Sequence, residues 1–107
     1  MIKFVVVLYR RPGMTREDFS AFLRTTHRNL ARRLPGLRRY VQNHPAQDAT
    51  RKTPAWDAVV ELYWDDREAM EAAWASPEGV AATADLEAFA DLTRSSWSVV
   101  QEIVGSE

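Results

Sequence analysis

The chain has 107 residues, of which 46% are hydrophobic and none is cysteine, so disulfides and thiolate metal ligands are excluded. The formal net charge of -1 conceals an asymmetry, because residues 1–53 carry twelve basic and three acidic side chains, whereas residues 54–107 carry two basic and twelve acidic ones. Like-charged blocks that stay disordered are usually poor in aromatic residues, but both halves here contain Phe and Val. We therefore expect a single domain over residues 1–107, with a core over about 2–104.

The N-terminal segment and the hydropathy of the chain bear on its location. MIKFVVVLYRR does not have the charge and apolar pattern of a signal peptide. No apolar run approaches the roughly 18 residues that a membrane span needs. The sequence predicts a cytoplasmic protein that does not bind a membrane.

The first half of the chain predicts a strand, a helix and a second strand. Residues 2–9 are an apolar, β-branched run typical of a central strand, and Pro12-Gly13 is the turn that ends it. Thr15 followed by Asp18 is typical of a helix start, so one amphipathic helix is expected over residues 15–33. Residues 37–44 predict a second, less apolar strand at an edge of the sheet. The predicted apolar stripe of the helix consists of Phe19, Phe22, Leu23, Thr26 and Leu30.

The second half predicts two further strands around a helical segment. Residues 45–55 form a polar loop with two prolines, which we expect to be mobile. Residues 56–64 alternate between two faces, as a half-buried strand does. Asp65 or Asp66, and then Ser76 before Pro77, are typical N-caps of two short helices. Residues 97–104 predict the last strand.

The order of these elements predicts an α+β, ferredoxin-like fold, a four-stranded antiparallel sheet with the helices on one face. Right-handed crossovers would place the first and third strands in the centre. The other face of the sheet then has no helix over it, although it carries Val5, Val7 and Val59. Such a face is too apolar to remain in water, so we expect a homodimer through it. Asp57 and Glu61 lie on the same predicted face and are expected to form ion pairs rather than an acid–base pair.

The order and spacing of several motifs resemble the EthD-like family of dimeric α+β barrel proteins. These motifs are RRPGMTREDF, the helical His27, PGLRRYVQNH and WDAVVELYW…ASPEGVA, and they extend over residues 2–104. The resemblance implies a ferredoxin-like protomer, a homodimer with its sheets face to face, and a cavity between sheet and helices. Members of the wider superfamily include cofactor-free monooxygenases, polyketide cyclases and lactone isomerases. Where the family often has an acidic residue before the histidine and Ala-Pro after it, this chain has Thr26 before it and Arg28-Asn29 after it.

His27 is the first candidate for a catalytic residue. It lies about 70° from the centre of the predicted apolar stripe, so its ring can reach the gap between helix and sheet without full burial. An imidazole there suits proton transfer at neutral pH, although a purely structural histidine is the alternative. Tyr40 on the second predicted strand, near the end of the sheet where the first helix finishes, is the expected catalytic partner. Asn43 on the same strand either binds a ligand carbonyl or caps the edge strand, whereas His44 is expected to be structural.

Aromatic residues are the candidates for the walls of a cavity, because small-molecule pockets are largely apolar. Trp64 and Trp74 are the favoured wall residues, with Phe4 and Phe22 as further ligand-binding candidates. Two histidines without a helical ligand pair do not suggest a metal site, and no phosphate-binding or dinucleotide motif occurs. Nucleic acid is not expected as a partner, because AVVELYWDD does not match the aromatic motif of RNA-recognition domains.

These features predict a small, cofactor-independent enzyme that binds a hydrophobic or aromatic oxygenated small molecule. His27 would transfer a proton during cyclisation, lactone isomerisation or oxygenation in a catabolic or secondary-metabolite pathway, and the resemblance supplies this list of reactions. A non-catalytic dimeric binding or accessory protein and a haem-handling monooxygenase are the alternatives. The charge asymmetry is expected to reflect complementarity between the two helical segments, with Arg24, Arg28 and Arg32 facing Glu71, Glu78, Asp85 and Glu87.

Overall fold

The computed structural model describes residues 1–107 and has the predicted order of elements. The strands are β1 (Ile2–Leu8), β2 (Arg39–Asn43), β3 (Ala58–Trp64) and β4 (Ser96–Val100). The helices are α1 (Arg16–Phe22), α2 (Arg28–Ala31), α3 (Arg67–Ala75) and α4 (Pro77–Asp85). A π-helical turn (Leu23–His27) joins α1 to α2, and a 3-10 turn (Leu86–Ala88) follows α4. Residues 101–107, predicted to continue the last strand as far as 104, have no regular structure.

The four strands form one antiparallel sheet in the order β2-β3-β1-β4. The ferredoxin-like fold and the central positions of the first and third strands are therefore confirmed. Val6 of β1 lies between Val60 of β3 and Trp97 of β4, so these three side chains share the face that the helices cover. The most apolar strands lie in the centre, because the side chains of a central strand are shielded from water by those of a neighbouring strand on either side.

The predicted single helix over 15–33 is interrupted by the π-helical turn. The N–H of Arg28 bonds to the carbonyl of Leu23, five residues earlier, which accommodates an additional residue in that turn. The buried face consequently has a spacing of four and contains Phe19, Leu23, His27 and Ala31. The expected stripe is wrong beyond Leu23, because Thr26 is exposed and His27 has taken the inward position.

The helices α3 and α4 begin at the predicted caps. The side chain of Asp66 accepts from Ala69 N at 2.8 Å, and the Ser76 hydroxyl accepts from Gly79 N at 3.1 Å. Ser76 ends α3 as well as starting α4, so the chain changes direction within one residue. None of the helices combines the length and the apolar character that crossing a membrane requires.

The ion pairs of the structure all join the basic first half to the acidic second half, but not through the expected residues. Lys3 pairs with Glu61 and Glu102, Asp57 pairs with two arginines of the first half, and Arg38 pairs with Asp65. None of the predicted helix–helix ion pairs occurs, and Asp85, one of the four expected acidic partners, bonds to His27 instead. Complementarity between the halves is therefore located mainly on the sheet and its loops.

The face of the sheet that has no helix over it carries a charged network among apolar residues. Lys3 lies beside Glu61 and Glu102, and the Tyr63 hydroxyl donates to Glu102 at 3.3 Å. These carboxylates raise the pKa of Lys3 well above its ordinary value through their hydrogen bonds. The lysine is thus fully charged and neutralised within the protomer. Val5, Val7 and Val59 are half-buried around this network.

Candidate functional site

A cavity of about 300 Å³ lies between the sheet and the helices. Its volume is at the lower end of the range of about 300–1,000 Å³ that small-molecule sites occupy. Of its 14 lining residues 12 are hydrophobic. They are Phe4, Val6, Leu8, His27, Ala31, Leu34, Tyr40, Val60, Leu62, Trp74, Ala82, Thr83, Leu86 and Trp97. Few polar groups therefore face the cavity, and each of them is a candidate for a specific contact with a ligand.

His27 projects into this cavity from the end of the π-helical turn, and only 8% of its surface is exposed. Its Nδ1 lies 2.9 Å from Oδ2 of Asp85, the last residue of α4. The imidazole packs on the Phe89 ring at a centroid distance of 5.0 Å. The histidine is more deeply buried than its position on an ideal helix predicts, because the π-helical turn rotates it inward.

The Asp85 contact determines which nitrogen of His27 carries the proton. A carboxylate accepts, so Nδ1 donates to it and Nε2 keeps its lone pair. Nε2 makes no hydrogen bond to the protein. Burial lowers the pKa of His27 below its ordinary value of 6.5, although the hydrogen bond and charge of Asp85 act in the opposite direction. At neutral pH the ring is therefore a neutral base that a charged partner holds in one orientation.

The pairing of Asp85 with His27 was not predicted, because the charge pattern of the sequence assigns this carboxylate to an ion pair between the helices. The position of Asp85 nevertheless indicates that it needs a hydrogen-bond donor. Asp85 is the last residue of α4, where the partial negative charge of the helix end disfavours a carboxylate. An acidic residue in that position is compensated when it bonds to a donor elsewhere in the fold, and here the donor is His27.

Tyr40 lines the same cavity from β2, as its predicted role requires. Its hydroxyl accepts from Gln42 Nε2 at 2.9 Å, and the same amide donates to the Leu23 carbonyl in the π-helical turn. Burial raises the pKa of Tyr40, so the phenol keeps its proton at neutral pH. That proton has no acceptor in the protein and is free for an oxygen atom of a ligand.

The walls of the cavity contain only part of the predicted aromatic set. Phe4 and Trp74 do line it and pack together at a centroid distance of 5.1 Å. Trp64 does not, because it is fully buried behind Trp74 and donates from Nε1 to the Pro35 carbonyl at 3.0 Å. Trp97 also lines the cavity, with 61% of its surface exposed. The choice of Trp64 as a favoured wall residue is corrected, since strand alternation gives the face of a side chain but not its depth.

Two other predicted ligand-binding residues lie away from the cavity. Phe22 packs against Phe89 at 5.0 Å and belongs to the α1 side of the core. Asn43 points to the helix-free face, where its amide donates to the Val59 carbonyl and to Glu61. The alternative interpretation of Asn43 as a cap of the edge strand is the one that matches its contacts. No group of three or more potential metal-ligating side chains comes together.

A ferredoxin-like sandwich with an apolar cavity and a buried His–Asp pair defines an α+β protein of the kind that binds small molecules. The model of the EthD domain family matches residues 11–93. The chain therefore belongs to the EthD family. A comparison with curated protein sequences found no match.

Solved structures of the same fold include proteins of quite different origin. An EthD family protein of Bacillus halodurans has a TM-score of 0.80 and 25% identity, over 96% of this chain and 100% of its own. A cofactor-independent oxygenase of Streptomyces nogalater has a TM-score of 0.64 and 19% identity, over 94% and 91%. A dimeric, ferredoxin-like protein of Bacteroides fragilis has a TM-score of 0.64 and 16% identity, over 92% and 91%. The last two similarities concern the fold alone.

Proposed function

We propose that this protein is a cofactor-independent enzyme in which His27 removes a proton from a hydrophobic or aromatic oxygenated small molecule. The observation that carries the proposal is the His27–Asp85 pair beside the cavity. A neutral imidazole whose Nε2 has no hydrogen-bond partner in the protein can act as a general base toward a bound ligand. An apolar cavity of about 300 Å³ can hold the carbon skeleton of such a ligand.

The proposed step is the formation of an enolate. Nε2 of His27 takes the proton from a carbon next to a carbonyl group. The electron pair of the broken C–H bond forms the C=C bond of the enolate, and the π pair of the carbonyl moves to its oxygen. Asp85 stabilises the imidazolium that forms, since it bonds to Nδ1 at 2.9 Å. Return of the proton to a different carbon completes an isomerisation. In a cyclisation the enolate carbon instead attacks a second carbonyl carbon of the same molecule, and the imidazolium returns the proton to the alkoxide oxygen that forms. Attack of the enolate on O₂ as co-substrate starts an oxygenation.

Tyr40 is the proposed second catalytic residue. Its phenol lines the cavity and keeps a free proton, so it can donate a hydrogen bond to the enolate oxygen as negative charge develops there. The amide of Gln42 orients this hydroxyl from the other side. Phe4 and Trp74 are the proposed aromatic walls for the ligand.

The proposed assembly is a homodimer through the helix-free face of the sheet, in the cytoplasm. Half-buried valines around a neutralised lysine network form a surface that a second copy would cover better than water does. The lack of cysteine agrees with a reducing compartment. Native mass spectrometry should show twice the protomer mass of 12.2 kDa. A clean monomer would contradict this assembly.

Enolisation can be measured with a bicyclic aromatic ketone. The experiment is the exchange of the acidic α-protons of 2-tetralone for deuterium in D₂O, followed by NMR, with the ketone's binding measured by calorimetry. The wild type should accelerate exchange over buffer, and His27→Gln should lose most of that acceleration, about 10²-fold or more, as expected for a general base. Thr26→Gln is the matched control, because Thr26 lies in the same π-helical turn but is exposed.

The outcomes separate an enzyme from a binding protein. Exchange that is as fast in His27→Gln as in the wild type would refute the catalytic role of His27. A wild type that binds 2-tetralone without accelerating its exchange would instead support the non-catalytic binding or accessory protein. A Soret shift on addition of haemin would favour the haem-handling alternative.

A further inference from the structure

A second pocket, of about 330 Å³, lies next to the cavity and shares Tyr40 with it. Its character is opposite, because the other lining residues are polar or charged, namely Arg24, Arg28, Gln42 and His44. The Tyr40 ring is thus a wall common to an apolar space and a basic one. A ligand lying over this ring would have its two ends in different environments.

The two arginines of this pocket have no acidic partner in the protein. Arg24 donates from Nε to Ser20 Oγ at 2.9 Å, which leaves its two terminal nitrogens without an acceptor. Arg28 makes neither an ion pair nor a side-chain hydrogen bond, although the chain has more acidic than basic residues. Its charge nevertheless acts on Tyr40 and lowers the pKa of that phenol against the effect of burial. Positive charge therefore reaches the shared wall.

The neutral residues of the pocket are fixed by hydrogen bonds to one another. His44 Nδ1 lies 3.2 Å from Ser20 Oγ, and His44 Nε2 lies 2.9 Å from Gln42 Oε1. Gln42 in turn donates to the Tyr40 hydroxyl. Burial and the charge of Arg24 both lower the pKa of His44, so it is neutral at pH 7. The arginines thus remain the only cationic groups that the pocket offers to a ligand.

We infer that the second pocket binds a carboxylate group of the substrate, with Arg24 and Arg28 as its specificity-determining residues. The inference rests on the proposed function, because it takes the apolar body of the same molecule to fill the cavity beside His27. The substrate class is then an aromatic or hydrophobic carboxylic acid that also carries an enolisable carbonyl. A planar guanidinium can bind a carboxylate through two parallel hydrogen bonds, which favours this group over a neutral one.

Binding of a matched acid and amide tests the inference. The probes are 1-naphthylacetate and 1-naphthylacetamide, which share the naphthyl group and differ in the charge. Calorimetry should show tighter binding of the acid by the wild type. Arg28→Gln should weaken binding of the acid about twofold to fivefold and leave the amide unchanged, the range expected for an exposed charged pair. Arg24→Gln should act in the same direction.

The control is Arg32→Gln, which removes the same charge from an exposed residue just after α2 that lines neither pocket. Equal binding of acid and amide by the wild type would overturn the carboxylate site while leaving the cavity as a binding site. Equal weakening by Arg32→Gln would overturn it too, since long-range charge would then suffice. If neither compound bound while 2-tetralone did, the carboxylate site would fail and the proposed function would stand; if 2-tetralone did not bind either, both would fail.

Discussion

Enlarging a residue at the cavity wall should stabilise the protein, which is the reverse of what the same change does in a packed core. Ala82 is buried in α4 and lines the cavity. In Ala82→Leu, three added carbon atoms would enter the space of about 300 Å³. At about 0.8 kcal/mol for each buried methylene, the gain is at most about 2.4 kcal/mol. Ordering the leucine side chain costs about 0.5–1 kcal/mol, which leaves a stabilisation of about 1.5 kcal/mol.

The matched control is Ala73→Leu. Ala73 is also a buried helical alanine, but it belongs to the packed core and does not line the cavity. Overpacking there should destabilise the protein by about 1–3 kcal/mol. The assays are thermal and urea unfolding together with calorimetric binding of 2-tetralone. For a domain of this size, Ala82→Leu should raise the Tm by about 5–10 °C and weaken ligand binding.

Two results would refute this reasoning. If Ala82→Leu destabilised the protein as much as Ala73→Leu does, the space between sheet and helices would not be open. If it stabilised the protein but bound 2-tetralone as tightly as the wild type, the cavity would not be the binding site. The proposed function depends on that site.

Three further predictions concern stability. Gly79→Ala should destabilise by about 1–3 kcal/mol, since a Cβ there would come within 2.5 Å of the Trp74 carbonyl oxygen, and urea unfolding measures it. Trp64→Phe should cost about 1–3 kcal/mol in the same assay, because a buried indole loses volume and a hydrogen bond. The unfolding free energy should fall between about pH 7.5 and pH 5.5, because unfolded histidine binds a proton near its ordinary pKa of 6.5 while the folded pKa values of His27 and His44 are lower. His27→Gln should flatten that pH dependence.

Each of these has a result that would contradict it. Gly79→Ala would instead stabilise by up to about 1 kcal/mol if the contact between α3 and α4 were loose, as glycine to alanine usually does within a helix. A cost below about 0.5 kcal/mol for Trp64→Phe would show that the indole hydrogen bond contributes little. A pH dependence that His27→Gln leaves unchanged would show that this histidine is not buried in its neutral form.

Much of the fold could be predicted because its signals are local. The alternation over β3 and the apolar run of β1 each specify a strand within a few residues, and Ser76 before Pro77 starts a helix by its own hydrogen bond. His27 could be identified as a candidate from its place on one helix and from the family resemblance, without knowledge of its contacts. The π-helical turn was missed because no residue type marks it, and it changes which side chain faces inward.

Local patterns along the chain were enough to predict the order of the elements, the helix caps, the central strands and the family resemblance. The packing of distant segments against one another places Asp85, 58 residues from His27 in the chain, where it orients the imidazole. It also decided that Trp97 lines the cavity whereas Trp64 does not, and that Arg28 has no acidic partner. The physical reason is that periodicity fixes the face on which a side chain lies, whereas distances between elements depend on register and packing depth. The two oppositely charged halves of the chain are an example. Their composition predicts that they attract each other, but the individual ion pairs depend on the fold.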